Sequence, residues 1–242
     1  MNPLATDVVF DLLGVPVTNT MFTGTLVTIA LALVAVVLRL TLSIWPSRAQ
    51  VAAEQLIEAW QRLAENAGGT RAHRFVPLVG SAFVFILFAN WIGALPLKHI
   101  RTVNPEGTSV ELIRSATSDL NLTVAVALMV VVLVEVLEIR SLGLVQYLKG
   151  LVVPNPLRWL EMLVRPLSLA FRLFGSVFAG HVLVNTILAI APIVLFPFLV
   201  LELFMGLIQA VIFAVLALVF LTIATAHDGK RPGRTDTAYQ GG

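Results

Sequence analysis

From Leu157 almost to Ala226 the chain is apolar, broken mainly by Ala191-Pro192 and Pro197. One membrane crossing takes about 20 apolar residues, so this stretch suffices for two. The two prolines place a tight turn between helical arms of about 30 residues, each ~45 Å long at 1.5 Å rise per residue. That exceeds the ~30 Å hydrocarbon layer, and the arms are expected to tilt strongly. Three earlier apolar runs follow the same logic: roughly Phe22 to Trp45, with Arg39 near enough to its end to snorkel, then Phe75 to Leu97, then Leu120 to Leu137. Charged residues make up only 12% of the 242. A soluble domain carries about 25%, so too few are present to cover a globule of this size. The expected fold is an all-α integral membrane protein. It has about five membrane helices and one interfacial amphipathic helix, and the last two spans form a long tilted hairpin.

Pro46 to Gly69 is that amphipathic segment. Ser47 with Gln50 three residues on reads as a capping box. Leu56, Ile57, Trp60 and Leu63 recur at helical spacing, and Glu54, Glu58, Gln61, Arg62 and Glu65 take the other face. Such a helix lies in the interface plane or packs on a partner. Residues 98–118 and 139–156 are polar connections, the second with Gly143, Gly150 and Pro154-Asn155-Pro156. Residues 1–226 form one membrane domain, with no internal repeat. The tail 227–242 is polar and expected to be disordered. Residues 1–20 contain Asp7 and Asp11 and no Lys or Arg, so no cleavable signal peptide is expected. With the N-terminus outside, eleven Lys and Arg fall on the inner side and three on the outer, which orients the chain N-out and C-in.

Some chemistry is excluded early. There is no cysteine, hence no disulfide or thiolate metal site, and a net charge of +2 does not suggest a nucleic-acid surface. No glycine loop of the Walker type is present, so no nucleotide, cofactor or metal is expected to bind.

Arg172 is the most informative residue. It sits mid-helix in Arg165-Pro166-Leu167-Ser168-Leu169-Ala170-Phe171-Arg172-Leu173-Phe174-Gly175-Ser176, with no acid one turn away. Placing arginine at the centre of a membrane helix costs about 2.5–3.5 kcal/mol on insertion scales, which argues for a task. Arg165 lies nearer the end and can snorkel. His181 and Glu202 lie ten residues before and after a turn centred on Ala191-Pro192, so they share a depth on opposite arms and are expected within one hydrogen bond or one bridging water. Gln209 falls near the level of Phe174 and Arg172 by the same count. Nine residues separate Arg172 from His181, or about 180° around the axis. Arg172, with Gly175 and Ser176, is expected on one face, where small residues let another helix approach, and His181 with Glu202 on another.

At these residues the chain resembles subunit a of F-type ATP synthases. The match is closest at Pro166, Ser168-Leu169, Arg172-Leu173-Phe174-Gly175 and Ala179-Gly180. It extends to Ala89-Asn90 with the turn from Gly93 to Pro96, to Ser118-Asp119-Leu120-Asn121 and to Gln209-Ala210-Val211-Ile212-Phe213, covering about residues 20–226. The resemblance implies that Arg172 is the stator arginine facing a rotor carboxylate, with Gln209 its neighbour. It implies that Asp119, Asn121, Ser176, His181 and Glu202 belong to the ion path. His181 and Glu202 stand in swapped order relative to many bacterial members, and Ser176 replaces a common Asn. Glu135 and Glu138 match no family pattern, and either line an inner half-channel or sit at the interface. The implied partners are a ring of c subunits, b-type peripheral stalk subunits, the soluble catalytic head and membrane lipid. The implied location is the bacterial cytoplasmic (inner) membrane. H⁺ is the expected coupling ion, with Na⁺ the alternative inside the family. A self-contained secondary transporter and a plain membrane anchor are the alternatives outside it. The first would be expected to show internal repeats and paired broken helices, and the second has no use for Arg172.

Overall fold

The computed structural model describes residues 8–12, 14–94, 101–103, 107, 109–145, 147–148, 156–190 and 195–225. Six α-helices dominate: α1 Asn19–Leu40, α2 Arg48–Gly68, α3 Val76–Ala94, α4 Leu120–Leu142, α5 Pro156–Ile190 and α6 Leu195–Ala224. Five are long and apolar enough to cross a membrane, and α2 is not among them. Two small hairpins accompany them: β1 Val8–Leu12 with β2 Val15–Thr18 ahead of α1, and β3 Arg101–Val103 with β4 Ser109–Glu111 between α3 and α4. The turn at Ala191-Pro192, the Pro154-Asn155 step, Leu95-Pro96 and the tail 227–242 lie outside the described residues.

The helix boundaries follow from local chemistry. Helix α1 starts three residues before the expected Phe22 because Thr18 caps it, its hydroxyl accepting from the Met21 N–H. It stops at Leu40, short of Trp45, where the Thr41 N–H and hydroxyl both turn back to the Val37 carbonyl. Helix α4 runs past the expected Leu137 to Leu142, so Glu138 and Arg140 are helical. It ends at Gly143, whose φ of 84° is a conformation glycine adopts without strain. Pro197 lies in the first turn of α6, where its missing N–H has no intrahelical partner to lose. Pro166 lies inside α5, and the helix continues through it.

Helix α2 forms half of the expected capping box. The Ser47 hydroxyl accepts from the Gln50 N–H at 3.2 Å. The Gln50 side chain, however, reaches Ser43 and Glu54 instead of returning to Ser47. Trp60 and Ala64 are buried against the bundle, with the Trp60 ring 5.3 Å from that of Phe83 on α3. Ile57 and Leu63 flank that stripe and stay exposed, which suits a helix lying between protein and lipid headgroups. Three glutamates and an arginine on the far face would be penalised in hydrocarbon. Glu54→Cys and Glu65→Cys are therefore both expected to react with an impermeant thiol reagent from the cytoplasmic side. Labelling from opposite sides would show that the segment crosses.

The core lies among α3, α4, α5 and α6. Phe213, Leu218 and Leu221 of α6 pack with Val79 and Ile86 of α3, Val130 and Val134 of α4, and Leu169 and Leu173 of α5. Small residues on α6 permit close approach: a Cβ added to Gly206 would stand 3.0 Å from the Asn90 Cβ. Apolar burial does not drive helices together within lipid, so this fit and a few hydrogen bonds hold the spans.

Residues 112–119, expected as part of a polar connection, fold into the bundle. Arg114, Ser115, Thr117, Ser118 and Asp119 are buried. The Ser115 hydroxyl donates to the Ala89 carbonyl, the Thr117 hydroxyl to Asn90 Oδ1, and the Arg114 Nε–H to the Ser118 hydroxyl. This plug docks on Asn19, Thr20 and Thr23 of α1, which are also buried.

Candidate functional site

Helix α5 shows two faces. Leu169, Ala170, Leu173, Val177 and Val184 are buried. Val164, Ser168, Phe171, Gly175, Ala179 and Val182 are exposed, in one stripe with Arg172. A steady spacing of three or four residues makes this a continuous strip along the helix. A Cβ added to Gly175 would meet no atom within 4 Å. Among the described residues Arg172 makes no hydrogen bond or ion pair. The distant acid that would make it merely structural is therefore not found there.

Two cavities lie against this helix at different depths. The outer one, about 280 Å³, is lined by Asn90 of α3, Ser176 and Gly180 of α5, and Glu202 and Gly206 of α6, with apolar residues between. The inner one, about 290 Å³, is lined by Arg165, Ser168 and Arg172 of α5 and by Leu216 and Phe220 of α6. Ser176 and Arg172 are one turn apart, ~6 Å along the axis, so on α5 the two linings come close, while on α6 they are separated by the stretch from Gly206 to Leu216.

The hairpin register agrees with the count made from the turn. Glu202 packs on Gly180, where an added Cβ would stand 3.3 Å from the Glu202 Cγ. The side chain of His181 lies outside the described residues, and so does the expected contact with Glu202. Ser176 is half-buried and lines the outer cavity with Glu202, whereas Gly175 shares the exposed strip with Arg172; Ser176 lies only about 40° round the helix from Arg172. Its hydroxyl donates to the Leu173 carbonyl.

Gln209 is buried, and its Nε2 has no partner among the described residues. An unsatisfied buried amide costs about 1–3 kcal/mol, so it stands ready for a water or a passing group. No hydrogen bond joins it to Arg172. Asp119 caps α4: Oδ1 accepts from the Asn121 N–H at 2.8 Å and Oδ2 from the Thr20 hydroxyl at 2.9 Å. Neither Asp119 nor the exposed Asn121 lines the outer cavity. Glu135 accepts from the Tyr147 hydroxyl at 2.7 Å, and Glu138 is half-buried. Among the described residues no three His, Cys, Asp or Glu gather closely enough to hold a metal ion.

Sequence reasoning noted Asn90 only within the resemblance and gave it no place in the site. It lines the outer cavity, donates to the Gly206 carbonyl at 3.2 Å and is held from behind by Thr117. Its signal was a lone amide in an apolar run.

Comparison with known proteins matches residues 19–222 to the family described as ATP synthase A chain. Among similar proteins are three called ATP synthase subunit a. That of Acidothermus cellulolyticus is 34% identical over 206 residues, 81% of this chain and 72% of the relative. That of Mycobacterium tuberculosis is 35% identical over 189 residues, 74% of each. That of Gloeobacter violaceus is 38% identical over 178 residues, 71% of this chain and 69% of the relative.

Proposed function

The chain belongs to the ATP synthase A chain family, and from that membership we propose that it is the stator ion channel of a rotary F-type ATP synthase, carrying H⁺ to and from a ring of c subunits. As a member of that family it is a multi-pass component of the synthase membrane sector and works in a complex with other subunits. The observation that supports the finer reading is the pair of cavities at different depths along α5, the inner one lined by Arg172 of the exposed strip. Two offset half-channels kept apart by a fixed positive charge would need such a placement.

On this reading a proton from outside enters the outer cavity and passes Glu202 and His181. It then neutralises a carboxylate on the ring, and the neutral site turns into lipid, where a charged one could not go cheaply. At the inner cavity Arg172 favours the charged carboxylate, lowers its pKa and releases the proton inward. The same charge repels a cation that would cross directly. Each 100 mV of membrane potential supplies about 2.3 kcal/mol per charge. Asp119 holds the outer ends of α1 and α4 together beside this path, and Gln209 offers its free amide near the depth of Arg172. The b-type stalk and the catalytic head complete the assembly, which sits in a bacterial inner membrane with the N-terminus outside.

Glu202→Gln keeps shape and hydrogen bonding but cannot carry a proton. Passive H⁺ flux through head-stripped membranes is expected to fall about 100-fold, the lower range for loss of a proton-transfer group. His181→Ala is expected to slow ATP-driven pumping with the subunit still in the membrane. Undiminished flux in Glu202→Gln would remove the outer cavity from the path.

A further inference from the structure

A hydrogen-bonded carboxyl lies at the depth of the inner cavity on a helix that does not line it. Depth follows from two contacts and the rise per residue. The Ser141 hydroxyl donates to the Ala224 carbonyl at 3.0 Å, which levels the inner ends of α4 and α6. Glu135 is six residues outward of Ser141, ~9 Å along the axis. Phe220 and Leu216 are four and eight residues outward of Ala224, ~6 and ~12 Å. Glu135 therefore lies between the two α6 residues that line the inner cavity. Arg165, whose guanidinium stands 5.3 Å from the Phe220 ring, marks the same level on α5.

Tyr147 reaches Glu135 because the chain reverses at Gly143. The Tyr147 N–H bonds the Gly143 carbonyl, and its ring is buried under α4. Its hydroxyl donates to Oε2 of Glu135. A carboxyl two turns inside a membrane helix is costly unless it has a task, and a hydrogen-bonded Asp or Glu in such a place is the usual element of a proton relay. Among the described residues, the other charged side chains near this depth are Glu138 and Arg140 on α4 and Arg165 on α5. Each has a partner of its own.

We propose that Glu135, positioned by Tyr147, is the proton-accepting group at the inner end of the path, an inference that rests on the stator reading above. A proton released at the Arg172 cavity reaches Glu135 through water. It binds Oε1 while Oε2 keeps the Tyr147 hydrogen bond, and it leaves to water on the cytoplasmic side. Only O–H bonds form and break, and the carboxylate is regenerated.

The test uses the assembled synthase in vesicles, with assembly checked by ATP hydrolysis and subunit content. Glu135→Gln preserves the acceptor for Tyr147 but not the proton site, so a purely anchoring role predicts normal flux. Gradient-driven ATP synthesis is expected to fall about tenfold, less than at an obligatory catalytic acid because water can bypass one relay group. Glu135→Asp is expected to restore most of it. Tyr147→Phe keeps the carboxyl and is expected to shift the dependence of rate on cytoplasmic pH. Wild-type rates in Glu135→Gln overturn the proposal. If that variant does not assemble, an unshifted pH profile in Tyr147→Phe overturns it instead. The stator reading fails separately, if an alanine at Arg172 leaves synthesis intact while Glu135→Gln lowers it.

Discussion

Arg172→Ala is expected to reduce gradient-driven ATP synthesis to background, with the subunit still present in the membrane. Arg172 is exposed and makes no hydrogen bond or ion pair among the described residues, so its removal deletes no internal contact and leaves packing intact. On the proposed reading, what is lost is the positive charge beside the inner cavity. A rotor carboxylate would then keep its proton at the inner side, and a cation would meet no repulsion on a direct route. Synthesis should therefore vanish while passive flux through the head-stripped sector rises. Arg172→Lys is expected to fail as well, since an ammonium lacks the planar fork that meets a carboxylate with two parallel hydrogen bonds. Imposed-gradient synthesis and passive flux, measured on the same vesicles, decide the matter. Full synthesis in the alanine variant would take Arg172 out of the mechanism.

Gly93→Ala is expected to deplete the subunit from the membrane, an effect on folding where that of Arg172 is on function. A Cβ on Gly93 would overlap the Ser115 Cβ and stand 2.5 Å from the Ser115 Cα and 2.8 Å from its nitrogen. Two of those atoms are backbone, and no rotamer relieves the clash. Overpacking typically costs about 1–3 kcal/mol where neighbours can adjust. Here the neighbour is the plug that holds Asn90 and fixes the start of α4, so the loss should exceed that range. Subunit content in membranes by immunoblot, with Gly175→Ala as the comparison, checks it. Gly175 opens on empty space and should tolerate the methyl group at the level of folding.

The spans were legible because hydrocarbon imposes a length and a composition that periodicity alone would not. Arg172 was legible for the same reason, as a charge with no means of reaching water. The register of His181 and Glu202 needed only a turn and a constant rise per residue, and Gly180 against Glu202 agrees with it. Hydropathy could not show that residues 112–119 fold inward, because a Ser/Thr-rich stretch reads alike whether water or protein satisfies its hydroxyls. It also could not show whether Ser176 joins the strip or the cavity, since it lies only about 40° round the helix from Arg172. The ends of α1 and α4 moved by a few residues because Thr18 and Gly143 decide them, not the apolar run.

The attachment of α1 bears on how the chain is made. Among its residues only Asn19, Thr20, Thr23, Gly24 and Val27 are buried, all in its N-terminal half. The polar grip on that half comes from Arg114 and Asp119. Thr20 and Asp119 are 99 residues apart, which at about 5–20 residues per second is roughly 5–20 s of synthesis. For that interval α1 stands in the bilayer without its polar latch, with only α3 of the later spans made, and no residue from Thr28 to Leu40 is buried within this chain. The first helix therefore enters the membrane on its own hydrophobicity and is recruited later by a latch at one end, so insertion and assembly are separate events in the birth of this subunit.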